Sequence, residues 1–126
     1  MPIVRIESSI PLPAETPRAE ALAAVADCIV RDLDVRPVQV RVAFVDLDAA
    51  AVMVAGKHGG QAAPYIVAWA SILEGRPEAQ RAAFVADLLA VLAKCYRVDE
   101  SVVRVLVQDF PSVHWGIGRA AATAKG

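Results

Sequence analysis

Cysteine is almost missing: Cys28 and Cys95 are the only two in 126 residues, and they stand in no metal-ligand spacing. That excludes a disulfide scaffold and a zinc ribbon, and leaves both thiols as small buried hydrophobes suited to a reducing cytoplasm. Long apolar runs are missing too. Nothing approaches the roughly 18 to 20 uninterrupted apolar residues of a membrane span, so no membrane partner is expected. An excess of one charge is also absent: 13 Lys and Arg against 14 Asp and Glu leave a net charge of -1 and a pI near 6.1. The arginines are scattered and form no basic stripe, which argues against a nucleic-acid partner. Pro11, Glu15 and Pro17 interrupt any apolar stretch of a secretion signal, so a cytoplasmic location is expected. The two histidines, His58 and His114, have no carboxylate at readable spacing and read as loop residues.

What the chain does have is apolar surface. A hydrophobic fraction of 56% and a mean hydropathy of +0.45 are high for a single domain of this length. The surplus is best buried between subunits, so a homo-oligomer is expected.

An internal repeat organises the sequence. Pro2 to about Ser8 reads as a strand, and Thr16-Pro17 as the cap and first position of a helix whose buried stripe is Leu22, Val25, Ala26, Ile29 and Leu33. Val38 to Val45 is a strand by its β-branched alternation. The second half repeats the plan. Tyr65–Leu73 is a strand, Gly75-Arg76-Pro77 turns into a helix with Val85, Leu88, Leu89 and Leu92 on one face, and Val102–Val107 closes the unit. A shift of 63 residues lays Leu22 on Val85, Ile29 on Leu92 and Arg41 on Arg104. The expected fold is α/β: two tandem β-α-β units sharing a four-stranded mixed sheet, with both helices on one face. One domain spans 1–126, with a first copy at 1–55, a linker at 56–63 and a second copy at 64–126. Within the linker, Lys57-His58-Gly59-Gly60 lacks the spacing of a phosphate loop and reads as a flexible connector; Ala50–Val54 adds a short strand before it.

The chain opens Met1-Pro2 and runs straight into Ile3-Val4-Arg5-Ile6. Removal of Met1 would leave Pro2 with a free secondary amine, held in place by its own ring and by the strand. Desolvation and nearby arginines lower such an amine from about 8 toward neutrality, where a proton-transfer base works best.

Three segments point the same way. Ile72-Leu73-Glu74-Gly75-Arg76, Val103-Arg104-Val105 and His114-Trp115-Gly116-Ile117-Gly118 together resemble the 4-oxalocrotonate tautomerase (4-OT) family, in its order and spacing. The second half resembles a whole short member, and the first half a diverged copy that keeps the amino-terminal proline. The resemblance therefore implies a fused, double-length member that assembles as a homotrimer and works without metal or organic cofactor. It further implies keto-enol tautomerisation of a small carboxylate such as a 2-hydroxy-dienoate or arylpyruvate, with Pro2 as general base and acid.

The same resemblance distributes roles. Arg76 would pair with the substrate carboxylate, and Arg104 or Arg41 would supply a second arginine, with Arg104 preferred. Trp115 stands where the family has phenylalanine and would wall the site, while Arg119 adds a third positive group. Ile66 occupies the proline position of the second copy and Leu12 lies near the arginine position of the first, which leaves one kind of site per chain. Relatives that hydrate or dehalogenate have an arginine where Leu73 stands and a glutamate where Ile117 stands. Relatives that decarboxylate use an acid in the loop that here reads Val35-Arg36-Pro37-Val38. The rival readings are such a hydratase or decarboxylase, a ferredoxin-like binding module, and a silent subunit of a hetero-oligomer.

Overall fold

Alternation sets the first strand. In Ile3–Ser8 (β1) Val4, Ile6 and Ser8 are buried while Ile3 and Arg5 are exposed, the period of two that a half-covered sheet imposes. The computed structural model describes residues 1–121. After β1 come helix α1 (Arg18–Leu33), β2 (Arg41–Asp46) and a short hairpin of β3 (Met53–Val54) and β4 (Lys57–His58). The second copy supplies β5 (Ile66–Leu73), α2 (Glu78–Tyr96), β6 (Val103–Phe110) and a hairpin of β7 (Gly116–Ile117) and β8 (Ala120–Ala121). The four long strands form one mixed sheet in the order β2-β1-β5-β6. Pairing is parallel within each copy and antiparallel between β1 and β5, where the copies meet. This is the expected α/β arrangement.

The core lies between the sheet and the two helices. Val4, Ile6, Ile66, Ile72 and Val103 from the strands meet Val25, Ile29, Phe84, Leu88 and Leu92 from the helices, all essentially inaccessible. The helical stripes are rotated slightly from the expected ones. Ala21 and Cys28 are buried while Leu22 and Ala26 are only half-buried, because small side chains let the backbone of α1 approach its neighbours. On α2, Phe84 takes the central place, with Val85 and Leu89 at the flank.

The repeat extends further than the sequence suggested. The 3₁₀ turns Pro37–Gln39 and Glu100–Val102, the turns Ala49–Ala51 and Ser112–His114, and the two hairpins all stand at the same 63-residue offset. So do the left-handed helix caps, Asp34 at φ 53° and Arg97 at φ 55°. Residues 57–61, expected as a flexible connector, are instead the second hairpin strand and a 3₁₀ turn at Gly59–Gln61. Ala55 and Gly56, both at positive φ, turn the hairpin. Three strand and helix bounds also move. Pro37 starts a turn, so β2 begins at Arg41; β6 runs on to Phe110; and α1 begins at Arg18, with the Pro17 carbonyl accepting from Glu20 and Ala21 at 3.0 and 3.1 Å.

Candidate active site

The antiparallel β1–β5 register decides where the chain's start lies. Ile3 pairs with Ser71 on β5 and with Arg41 on β2, which sets Pro2 beside Ile72 and Val40 and aims Met1 toward Leu73. Pro2 is buried, and its carbonyl accepts the Arg41 N–H at 3.0 Å. Three residues past Leu73 stands Arg76. Burial lowers the pKa of the terminal amine from its ordinary 8.0, and the Arg76 charge lowers it further. The two therefore share one electrostatic environment.

Arg76 sits in the four-residue link from β5 to α2, where Gly75 at φ 114° makes a bend closed to residues with a Cβ. Its guanidinium is half-buried and donates to the carbonyls of Leu73 at 3.2 Å and Leu33 at 3.4 Å. Burial pulls its pKa down, with Asp109 and Asp34 acting in the opposite direction. No carboxylate lies within 4.0 Å of it among the described residues. It lines a cavity of about 430 Å³ together with Arg36, Gln39 and Gln80, with Asp34 and Glu74 among the exposed wall residues.

The opposite face of the sheet carries an apolar wall at the same end. Trp115 packs edge-on against Phe110 at 5.8 Å and 89°, and with Ile3, Ser71 and His114 it lines a cavity of about 240 Å³. Leu73 pairs with Phe110 in the β5–β6 register. The Leu73 side chain is buried, and the contact it offers Arg76 is its carbonyl.

The two strand arginines part company. Arg41 lies next to Pro2 in the sheet, its guanidinium resting on the carbonyls of Val38 and Val40 at 3.0 and 3.1 Å. Arg104 repeats the pose on Ser101 and Val103 at 2.7 and 3.3 Å. It pairs with Val67, however, while the β6 residue level with Pro2 is Asp109. Five residues at about 3.3 Å each put Arg104 roughly 16 Å along the sheet from that row. Within one chain Pro2, Arg76, Trp115 and Arg41 gather at one end, and Arg104 does not join them. Arg119 is exposed at the turn of the β7–β8 hairpin.

Sequence reasoning passed over Arg36, Gln39 and Gln80. The amide of Gln80 donates to the Asp32 carbonyl at 2.9 Å and ties α2 to the last turn of α1, beside the Leu33 carbonyl that receives Arg76. The available signal was an arginine directly before Pro37 in the loop opposite Arg76. Among the described residues no three His, Cys, Asp or Glu side chains converge as metal ligands, and no helix is long and apolar enough to cross a membrane.

Comparison with known proteins places this geometry. The family model described as tautomerase enzyme matches residues 70–123. The 2-hydroxymuconate tautomerase of Stutzerimonas stutzeri is 32% identical over 60 residues, which are 48% of this chain and 95% of that protein. Among solved structures, Pt0534 inactivated by 2-oxo-3-pentynoate is 28% identical with a TM-score of 0.84, covering 98% of this chain and 96% of its own. Native fused 4-OT superposes with a TM-score of 0.85 at 24% identity, covering 97% and 95%. The single-unit relative spans about one copy, whereas the fused structures span both. With its duplicated β-α-β unit and its amino terminus set against Arg76, this chain belongs to the tautomerase family as a fused, 4-OT-like member.

Proposed function

We propose that this protein is a cofactor-independent keto-enol tautomerase acting on a 2-hydroxy-dienoate or arylpyruvate-like acid, with Pro2 as the proton carrier. The observation that carries the reading is the strand register, which fixes the amino terminus beside Ile72 and within the field of Arg76. In its neutral form the Pro2 amine takes the proton from the 2-hydroxyl group, and the electron pair moves into the diene as the ketone forms. The resulting ammonium returns the proton to a carbon of the same substrate, so no net proton is consumed. Arg76 pairs with the C-1 carboxylate and steadies the dienolate as charge spreads. Trp115 and Phe110 exclude water from that end of the sheet. Leu73 and Ile117 leave out the arginine and glutamate expected of a hydratase.

Assembly as a homotrimer belongs to the same reading. The helix-free face of the sheet exposes Ile3 at 44%, Trp69 at 39% and Leu106 at 45%, an apolar surface suited to other copies of the chain. Fused 4-OT structures of this fold occur as symmetric and asymmetric trimers. In such a particle Arg104, remote from Pro2 in its own chain, would serve a neighbour. The unpaired thiols of Cys28 and Cys95 suit a cytoplasmic setting.

The test uses untagged protein. Intact mass should show Met1 removed, and ketonisation of 2-hydroxymuconate should be followed by its ultraviolet absorbance. Pro2→Ala should lower kcat by about 10²-fold with an unchanged circular dichroism spectrum. Because 2-oxo-3-pentynoate inactivates Pt0534, peptide mapping should find this reagent on Pro2 here. Full turnover by Pro2→Ala would overturn the assignment.

A further inference from the structure

One ion pair occurs twice in this fold, at the start of each long helix. Arg18 opens α1 and reaches Asp46, the last residue of β2, at 3.0 Å. At the 63-residue offset, Arg81 in the first turn of α2 pairs with Asp109 on β6. A cation in a helix's first turn opposes the macrodipole, so each arginine needs its aspartate. The copies differ in what stands beside the pair. The counterpart of Arg76 in the first copy is Pro13, which carries no charge, so the Arg18–Asp46 pair has only a tether to provide. It is also the more open pair, with side chains 47% and 66% exposed against 33% and 29% for Arg81 and Asp109.

Asp109 has a second cation in its field. It pairs with Ile72 in the β5–β6 register, and the carbonyl of the next residue, Phe110, accepts the Glu74 N–H at 2.9 Å. That bond ties this end of β6 to the link carrying Arg76. Alternation along β6 sends Val105, Val107 and Asp109 to the helix-covered face, where Asp109 meets Arg81. Burial lowers the Arg76 pKa, and of the acids that oppose it Asp109 acts more strongly than Asp34. Yet Asp109 contacts Arg81, while Arg76 has no carboxylate within 4.0 Å among the described residues. We infer that Arg81 is a positioning residue for the reaction: by engaging Asp109 it keeps that carboxylate off Arg76, whose charge is left for the substrate. The inference rests on the tautomerase reading for the role of Arg76, and extends it to a residue outside the cavity that Arg76 lines.

The two halves of the pair separate this role from a tether. Arg81→Met releases Asp109 to turn to Arg76, so sorbate, an unreactive dienoate with one carboxylate, should bind about ten-fold more weakly by titration calorimetry. Asp109→Asn breaks the same pair but removes the competing charge, so its sorbate affinity should stay within about two-fold of wild type. The Arg81→Met/Asp109→Asn double variant should recover that affinity as well. Arg18→Met supplies the control from the first copy: it should lower Tm slightly, as an exposed ion pair does, and leave sorbate binding unchanged. With 2-hydroxymuconate, Arg81→Met should raise KM about ten-fold and the double variant should reverse the rise. Equal weakening by Arg81→Met and Asp109→Asn, or undiminished binding in Arg81→Met, would overturn the inference and leave a second tether. Wild-type protein that does not bind sorbate would overturn it too. Full turnover by Pro2→Ala with the sorbate pattern intact would instead remove the tautomerase reading and leave Arg81 guarding an anion site at Arg76.

Discussion

Arg76 rests on carbonyls from both copies, Leu73 of the second and Leu33 of the first, with no carboxylate within 4.0 Å among the described residues and Asp109 and Asp34 acting on it from farther off. Its charge therefore acts on whatever lies nearby, and the amine at the chain's start is the group that registers it. That amine stands below its ordinary 8.0, through burial first and Arg76 second. That amine is Met1's; in the proposed mechanism Met1 is removed and Pro2, one residue deeper in the fold, would carry the amine under the same two influences. In the proposed mechanism the neutral amine is the active form, which predicts that kcat/KM rises with pH through a pKa below the usual amine range. Arg76→Ala removes a positive neighbour, stabilises the ammonium and should move this acid limb to higher pH, while KM rises about 10- to 100-fold. A pH-rate profile checks it; an unmoved limb would place Arg76 too far from the reacting nitrogen. Pro2 and Arg76 were legible in the sequence because each sits in a short local motif. That Arg36, Gln39 and Gln80 share a cavity with Arg76 was not, since it depends on segments about forty residues apart. Where Arg41 and Arg104 lie relative to Pro2 likewise needed the strand register.

Between the helices, Asp32 of α1 and Asp87 of α2 bring two carboxyl groups together. Burial raises the Asp32 pKa above its ordinary 3.8, its hydrogen bond with Asp87 and the charge there raise it further, and Arg31 at 3.2 Å opposes them. The neighbouring Cys28 thiol, 3.8 Å from Asp32 Oδ2, is pushed up to about 12, chiefly by burial. A raised folded-state carboxyl pKa contributes stability at pH values below the unfolded pKa, and that contribution is lost as pH rises through the folded value. Near neutral pH the pair is consequently a liability. Asp87→Asn keeps a hydrogen-bonding group and removes the repulsion, so it should raise Tm at pH 7, with the gain fading as the buffer becomes acidic. Thermal melts across that range read this directly, and a Tm lowered at pH 7 would contradict it. The existence and order of the long strands and helices followed from periodicity alone. Of the β3–β4 hairpin the sequence suggested the first strand, expected over Ala50–Val54 and found at Met53–Val54 after a 3₁₀ turn at Ala49–Ala51. The second strand, β4, escaped because a two-residue strand has no periodicity to detect, and because Ala55 turns the hairpin at a φ of 52° that residues other than glycine rarely adopt.

For the molecule as a whole, the apolar surplus in the composition announced an interface but not its location. Periodicity cannot say which sheet face the helices leave open. Trp69 and Leu106 pair across β5 and β6 and are both exposed on the helix-free face, and the proposed trimer would cover them. Leu106→Glu should turn a trimer into monomers by sedimentation velocity, with secondary structure retained; an unaltered trimer would move the interface elsewhere. The duplication has one more consequence. Ile66 begins β5 with an ordinary peptide nitrogen, so under the proposed mechanism the loop facing it, residues 9–17, serves no proton transfer. That loop has grown to nine residues against four in its counterpart at 74–77, and it carries three prolines. Under the proposed mechanism, joining two copies in one polypeptide frees that loop to act as scaffold, a segment where new sequence can be inserted while turnover at the other end continues.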